Sequence, residues 1–386
     1  MYKMILIISL LVIGTIVGFT LLIQYLVKDP NPNPPNLPIT MESVAMIVAD
    51  IHIEPWYTTK RAAQNHYNPD TIDDWTKTAK LICSGVGDNA GDIPIGLFKS
   101  AIQDFSKDVL KEQRLFFFAG DTFAHDLRGD KPDVNIEKTI MYKIFDKKEG
   151  LLNYFDPSNI FYAVGNHGGK TQQAFFQKDT VSEAWVQSIV DNGIYTPSGP
   201  DDIFWDIGYY KKPIPSSTIY VICFNSIIYK IVSNHDGCSG DNCTKKQQRQ
   251  IDQLKKDLDS LGPKNSAYIL THFPIDSWDP SKVAVENFIW SKIGKEHQDK
   301  VSGILTAHSH APLANLDHWD TKKGTGYTWN IPSIFWSGSN VIPNKSVSSY
   351  IKVPFPLNEP LVLAETDVRK TVCKNGVSTD SIQWVN

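Results

Sequence analysis

The chain has little cysteine, no surplus of positive charge, no block of like charge and no internal repeat. Each shortage closes off a class of protein. Five cysteines in 386 residues are too few for a disulfide scaffold. In an oxidising compartment the pairings open to them are Cys238 with Cys243, the nearest pair, and Cys83 with Cys373. Cys223 lies inside the apolar run 218–224 and reads as a buried thiol. A net charge of -4 and a pI near 6.2 leave no basic excess, so no nucleic-acid polymer is expected as a partner. Without a run of like charges there is no interaction tail. Without a repeat there is no solenoid.

What is present is ordinary globular material, 41% hydrophobic and 21% charged, enough for one large domain or two modest ones. Ahead of it, Met4 to Val27 forms an apolar run whose most polar member is Gln24. That is longer than the ~20 residues a spanning helix needs and longer than the ~7–15 of a cleaved signal core. No Ala-x-Ala cleavage site follows, so residues 1–28 read as an uncleaved signal anchor; cleavage would instead release the body as a secreted protein. Lys3 precedes the run while Lys28 and Asp29 cancel after it, which leaves the amino end cytosolic and the body lumenal or extracellular. Prolines 30, 32, 34, 35 and 38 make residues 29–43 an extended stalk. The main domain is expected over 44–350, followed by a C-terminal extension over 351–386 in which Asn375-Gly376 signals a tight hairpin. Asn242-Cys243-Thr244 and Asn344-Lys345-Ser346 are glycosylation acceptors by pattern.

Within the domain, short apolar runs recur and each ends in the same kind of residue. Val44 to Ala49 runs into Asp50 and His52. Leu115 to Phe118 breaks at Gly120 into Asp121, with His125 and Asp126 just beyond. Ile160 to Val164 leads into Gly165, Asn166 and His167. Ala267 to Leu270 leads into His272, and Gly303 to Ala307 into His308 and His310. Runs of this length with aromatic and branched residues predict strands covered on both faces. Two further strands are expected at 218–224 and 334–336. Leu97, Phe98, Ala101, Ile102, Phe105 and Val109 recur at helical spacing, as do Ile251, Leu254, Leu258 and Leu261 before the Gly262-Pro263 stop. The fold expected is α/β, with chemistry placed beyond the carboxyl ends of the strands.

Carboxylates and imidazoles at five strand ends are the donors a divalent metal takes, and a carboxylate with two oxygens can join two ions. Asp121 fits that bridging place. His66, His235, His297 and His318 fall outside the pattern and read as structural. Trp56 and Tyr57 either wall the site or pack locally.

The ordered set Asp-x-His, Gly-Asp, Gly-Asn-His, His and His-x-His resembles the calcineurin-like metallophosphoesterases, over residues 44 to about 340. Gly120 to Asp126, Asp50 to Tyr57 and Ile331 to Trp336 are similar to stretches of the acid sphingomyelinase-like phosphodiesterases. The resemblance implies a central β-sandwich flanked by helices. It also implies two ions, one held by Asp50, His52, Asp121 and His310, the other by Asp121, Asn166, His272 and His308. His167 and His125 are then implied as catalytic, His167 beside the phosphate and His125 near the leaving oxygen, with Asn166 and His125 touching substrate. The donor set suits Zn2+, with Mn2+ or Fe2+ as alternatives. The implied activity is hydrolysis of a phosphodiester, lipid or nucleotide, by a hydroxide bridging the two metals. The alternatives are a phosphomonoesterase, a nucleotide phosphodiesterase, or a silent metal-binding receptor module. Three departures stand out: Gly168 replaces an acidic residue, Ala307 replaces a glycine, and no saposin-like module precedes the domain. Ala124 stands where the purple acid phosphatases would need a tyrosine.

Overall fold

The computed structural model describes residues 43–53, 93, 95–123, 134–168, 182–229, 240–273, 293–308, 313–321, 324–333, 348–356, 359–373 and 382–385. The expected anchor and stalk lie outside the described residues. Among the described residues no helix is long and apolar enough to cross a membrane.

Three apolar runs form parallel neighbours: β1 (Ser43–Val48), β2 (Arg114–Phe118) and β3 (Ile160–Tyr162), with Val48 opposite Phe118 and Phe118 opposite Tyr162. On the other side of β1 lies β10 (Ser349–Phe355), antiparallel, followed by β11 (Val368–Cys373) and β12 (Ile382–Val385). The second sheet contains β4 (Tyr210–Pro213), β5 (Ile219–Cys223), β6 (Ser266–Leu270), β7 (Val301–Thr306), β8 (Ala314–Thr321) and β9 (Gly324–Asn330). Its order is β4-β5-β6-β7-β9-β8, and β5, β6, β7 and β9 run parallel. The helices used below are α1 (Ile95–Ser106), α2 (Val134–Ile144), α3 (Glu183–Asp191), α4 (Ile203–Ile207) and α5 (Gly240–Asp259).

The two-residue period of a strand decides which core each side chain joins. On β5, Val221 and Cys223 face the first sheet, while Ile222 and Phe224 join Ile251, Leu254 and Leu258 of α5. On β6, Tyr268 and Leu270 face inward while Ala267 and Ile269 pack on the helix side. In β2, Phe117 stacks on Phe161 and Phe355 at 5.0 and 5.2 Å, and Phe355 meets Tyr268 of the opposite sheet at 5.3 Å. Its neighbours Phe116 and Phe118 point the other way, toward Phe98 of α1 and toward Tyr162. Phe117 is fully buried between the layers, so truncation to alanine would cost about 3–5 kcal/mol. The result is a mixed α/β sandwich of two sheets with helices packed outside it.

β3 is an edge strand, and the side chains of β4 occupy that edge. The Tyr210 hydroxyl accepts the N–H of Tyr162 at 2.8 Å and donates to the carbonyl of the same residue at 3.2 Å. Two residues on, and so on the same face of β4, Lys212 Nζ donates to the carbonyls of Pro157 at 2.6 Å and Ile160 at 3.0 Å. An edge whose polar groups are already bonded offers nothing to a further strand.

Several expectations need correction. The boundary expected at 350 falls within β10, whose Tyr350, Ile351, Val353 and Phe355 are buried and which pairs along β1. β11 and β12 pair antiparallel, with Cys373 opposite Ile382, while Asn375-Gly376 lies outside the described residues. The strand expected at 334–336 lies outside the described residues, as do Trp56 and Tyr57. Cys223 is buried and free as expected; the side chains of the other four cysteines lie outside those described.

Candidate metal centre

The carboxyl ends of β1, β2 and β3 meet those of β6 and β7, and backbone hydrogen bonds continue past the strands to fix the turns. Asp50 N–H donates to Gly120 O at 2.9 Å, His52 N–H to Asp121 O at 3.1 Å, and Ala307 N–H to His272 O at 2.8 Å. Side chains then join one sheet to the other. His272 Nδ1 donates to Ala119 O at 2.9 Å, and the His308 N–H points at both carboxylate oxygens of Asp50, at 3.2 and 3.3 Å.

The turns are tight enough to need unusual backbone torsions. Among the described residues the non-glycine residues with positive φ are Asp50 (48°), His52 (37°), Asp121 (63°), His308 (74°) and Ser216 (58°). All but the last are at this centre, where strain of about 1–3 kcal/mol per residue persists only if the surroundings enforce it. Two glycines make the approach sterically feasible. A Cβ on Gly165 would strike the backbone nitrogen and Oδ1 of Asp121, and one on Gly120, at φ +99°, would lie 2.7 Å from His272 Nδ1. The Gly-Asp and Gly-Asn-His pairs in the sequence are thus two sides of one close contact. Ala307, by contrast, is fully buried without disturbing its hydrogen bond to His272.

Asp121 is the hub. It is 1% exposed; its Oδ1 accepts the His167 N–H at 2.7 Å, and its Oδ2 lies 3.5 Å from His52 Nε2 and 3.2 Å from His272 Nε2. Oδ2 makes no hydrogen bond. The tautomers explain why. His52 Nδ1 is 3.2 Å from Phe123 O and His272 Nδ1 is 2.9 Å from Ala119 O. A carbonyl only accepts, so both rings carry their proton on Nδ1 and turn an Nε2 lone pair toward Asp121. His272 Nε2 also sits 2.8 Å from Asn166 Oδ1. Four acceptor atoms therefore converge on a buried space with no proton assigned among them, which is repulsive unless positive charge enters. Either the imidazoles take up second protons or a metal cation occupies the space, and the histidine and carboxylate donors are of the kind a divalent metal takes. Backbone carbonyls that fix metal-binding histidines through their other nitrogen are the usual outer support of such a site.

The titration tendencies agree. Burial opposes the charge on Asp121, but the imidazoles of His272, His167 and His52 outweigh it and hold the carboxyl well below the usual range. Burial likewise disfavours a charged His272, yet Asp121 and Asp50 outweigh it and raise its pKa.

Two groups of donors lie with their atoms within 4.8 Å of one another: His52, Asp121 and His167, and Asp121, His272 and His308. Asp121 is common to both. The second group, with Asn166 beside His272, brings together what the sequence placed on the second ion. The first group differs from its expected set. His167, expected beside the phosphate, stands among the donors with its ring 4.8 Å from that of His52. His310 and His125 lie outside the described residues. Of the histidines read as structural, His297 is buried and paired with Ile293 O and Asp259, and His318 is exposed on β8; His66 and His235 lie outside the described residues.

No family model and no curated protein matches the sequence. Solved structures of a phosphatase, a nucleotidase and an anchor protein are similar to it over 89% of this chain. A dimetal phosphatase from Danio rerio is 12% identical, with 89% of this chain and 98% of that one covered and a TM-score of 0.47. The NAD nucleotidase of Haemophilus influenzae is 13% identical over 89% of this chain and 53% of that one, with a TM-score of 0.39. GAP50, the anchor in the inner membrane complex of Plasmodium, is 10% identical over 89% and 87%, at 0.36. The chemistry of the centre rests on the donor geometry alone.

Sequence reading passed over two contributors at other strand ends. Ser333, bridging to Ala49, donates its hydroxyl to Asp50 O at 3.1 Å. Ser226, just beyond β5, accepts the N–H of Phe273 at 2.8 Å. Neither carries a metal-type donor, so the strand-end pattern that revealed the others was silent for them.

Proposed function

We propose that the chain is a two-metal phosphoester hydrolase acting on a phosphodiester, with Asp121 shared between the ions. The observation that supports this most is the approach of His52 Nε2 and His272 Nε2, the latter beside Asn166 Oδ1, to an Asp121 oxygen that no hydrogen bond satisfies. In this reading Asp50, His52, Asp121 and His310 hold one ion, and Asp121, Asn166, His272 and His308 the other. Mixed imidazole nitrogen and carboxylate oxygen suit zinc.

When bound, the two cations would supply Lewis acidity to the phosphoryl oxygens and a water nucleophile near neutral pH. The chain's own contributions are orientation and exclusion of solvent. Asp50, His52, Asp121 and His272 are at most 1% exposed, so their charges act in a medium where water cannot screen them. Ala119 O and Phe123 O fix two imidazoles, and the His167 N–H fixes Asp121. In this reading His167, whose ring stands beside that of His52, would hold a proton near the phosphate, and His125 is assigned to the leaving oxygen from its place in the motif.

The experiment is metal content and turnover of bis-p-nitrophenyl phosphate by the full-length chain. Two ions per chain are expected, with loss of both ions and about 10² or more of the activity in Asp121→Asn. His318→Ala should match the wild type. An Asp121→Asn chain that keeps both its ions and its rate sinks the shared-ligand reading.

We further propose that residues 1–28 anchor the protein in a membrane with the body lumenal or extracellular, on the strength of the apolar run and its Lys3 flank. Asn242, in the first turn of α5, and Asn344 are then expected to carry glycans in a secretory cell. A body open to cytosolic labelling, with neither asparagine modified, reverses the orientation.

A further inference from the structure

The end of β5 contributes no donor atom, yet it is held by several buried hydrogen bonds. Asn225 is 1% exposed and Gln250 of α5 is fully buried. Each satisfies the other's partners: Asn225 N–H donates to Gln250 Oε1 at 3.2 Å and Gln250 Nε2 to Asn225 O at 3.0 Å. The Asn225 side chain also donates to Ile207 O at 2.8 Å and accepts the Ile227 N–H at 3.0 Å. That cluster of buried amide bonds holds the next residue, Ser226, in one place.

Ser226 in turn holds Phe273. Its hydroxyl, in a residue 1% exposed, accepts the Phe273 N–H at 2.8 Å, and Phe273 directly follows the donor His272. The Phe273 ring is 3% exposed and meets the His308 ring edge to face, with centroids 4.4 Å apart and planes at 76°; it lies 5.4 Å from the ring of His272. His272 and His308 themselves cross at 5.1 Å and 75°. A flat ring wedged against both imidazoles limits how far either can turn.

We propose that Ser226 and Phe273 are positioning residues for the His272 and His308 pair, setting the affinity of one of the two metal places and not the other. The inference rests on the two-metal reading. Ser226 fixes the backbone from which His272 projects, and the Phe273 ring fixes the rotation of His308. Both act through the histidines and touch no metal.

The test is Zn2+ titrated into metal-stripped full-length protein and followed by calorimetry, which reads each binding step without turnover. The wild type is expected to take up two ions. Ser226→Ala should weaken one step about 10- to 100-fold, the range for loss of an outer support, and leave the other unchanged. Ser226→Thr, which keeps the hydroxyl, should restore it. Phe273→Leu should weaken the same step while keeping the backbone bond to Ser226, and it carries the test alone if Ser226→Ala does not fold. Two unchanged steps, or two steps weakened alike, overturn the positioning role while leaving the two-metal reading intact. A wild-type chain that takes up no zinc overturns both.

Discussion

Gly165 shows how much of the centre depends on a missing side chain. Its Cα packs so closely on Asp121 that any Cβ would push on the Asp121 backbone and carboxylate together. Gly165→Ala should therefore lower metal affinity by about 10-fold or more without touching a donor atom. Equilibrium dialysis of the two proteins checks this, and equal zinc content at limiting zinc counts against the contact. At this scale the sequence was most informative. Asp50, His52, Asp121, Asn166, His167, His272 and His308 each follow an apolar run, and although one such residue is ordinarily a turn or structural residue, five strand ends carrying them are not readily a matter of chance. What the sequence could not convey is how donors divide between ions. His167 is adjacent to Asn166 in the chain, and only the turn at Asn166–Gly168 decides that its ring faces His52.

Among the elements, β4 is one that patterning did not reveal. It has four residues, two of them lysines, so its burial against an edge is written in the geometry of β3 rather than in hydrophobicity. Lys212 is the informative member. Burial pushes its pKa down to about 7 from 10.5, with Cys223 opposing only in part. A group whose folded pKa lies below its unfolded one binds fewer protons in the folded chain between the two values, so stability rises with pH through that window. Below about pH 7 both states are protonated and the burial cost is fully present. Accordingly the melting temperature of wild type minus that of Lys212→Met should increase from about pH 7 to about pH 10 and stay flat below. A difference that falls over that range contradicts the burial argument. Helices α1 and α5, in contrast, were legible, because Phe98, Ile102 and Phe105, and Leu254 and Leu258, recur at the period of one buried face.

For the whole molecule, the donors come from both sheets: Asp50, His52, Asp121 and His167 from the first, His272 and His308 from the second. An ion held by members of each set ties the layers together at one end of the sandwich. Binding to the folded state alone stabilises by RT ln(1 + [L]/Kd), about 2.7 kcal/mol at a hundredfold excess over Kd for each ion. Removal of metal by a chelator should lower the melting temperature by several degrees, and zinc should restore it. An unchanged melting curve would mean that the donor cluster is satisfied without cations. β1, β2 and β3 of the first sheet and β5, β6 and β7 of the second were readable from their apolar runs, whereas β10 was not, since Ser349–Phe355 contains a lysine and a proline and gains its place only by pairing with β1.

The left-handed torsions at Asp50, His52, Asp121 and His308 have a bearing on the history of the gene. Each of these residues is worse for the backbone than glycine would be, so only selection for what its side chain does keeps it there. In a duplicated copy released from that selection, mutation to glycine at these four codons would relieve strain as well as escape constraint. Such a copy would exchange the donors for a relaxed backbone, and these torsions mark the codons where that exchange has something to offer.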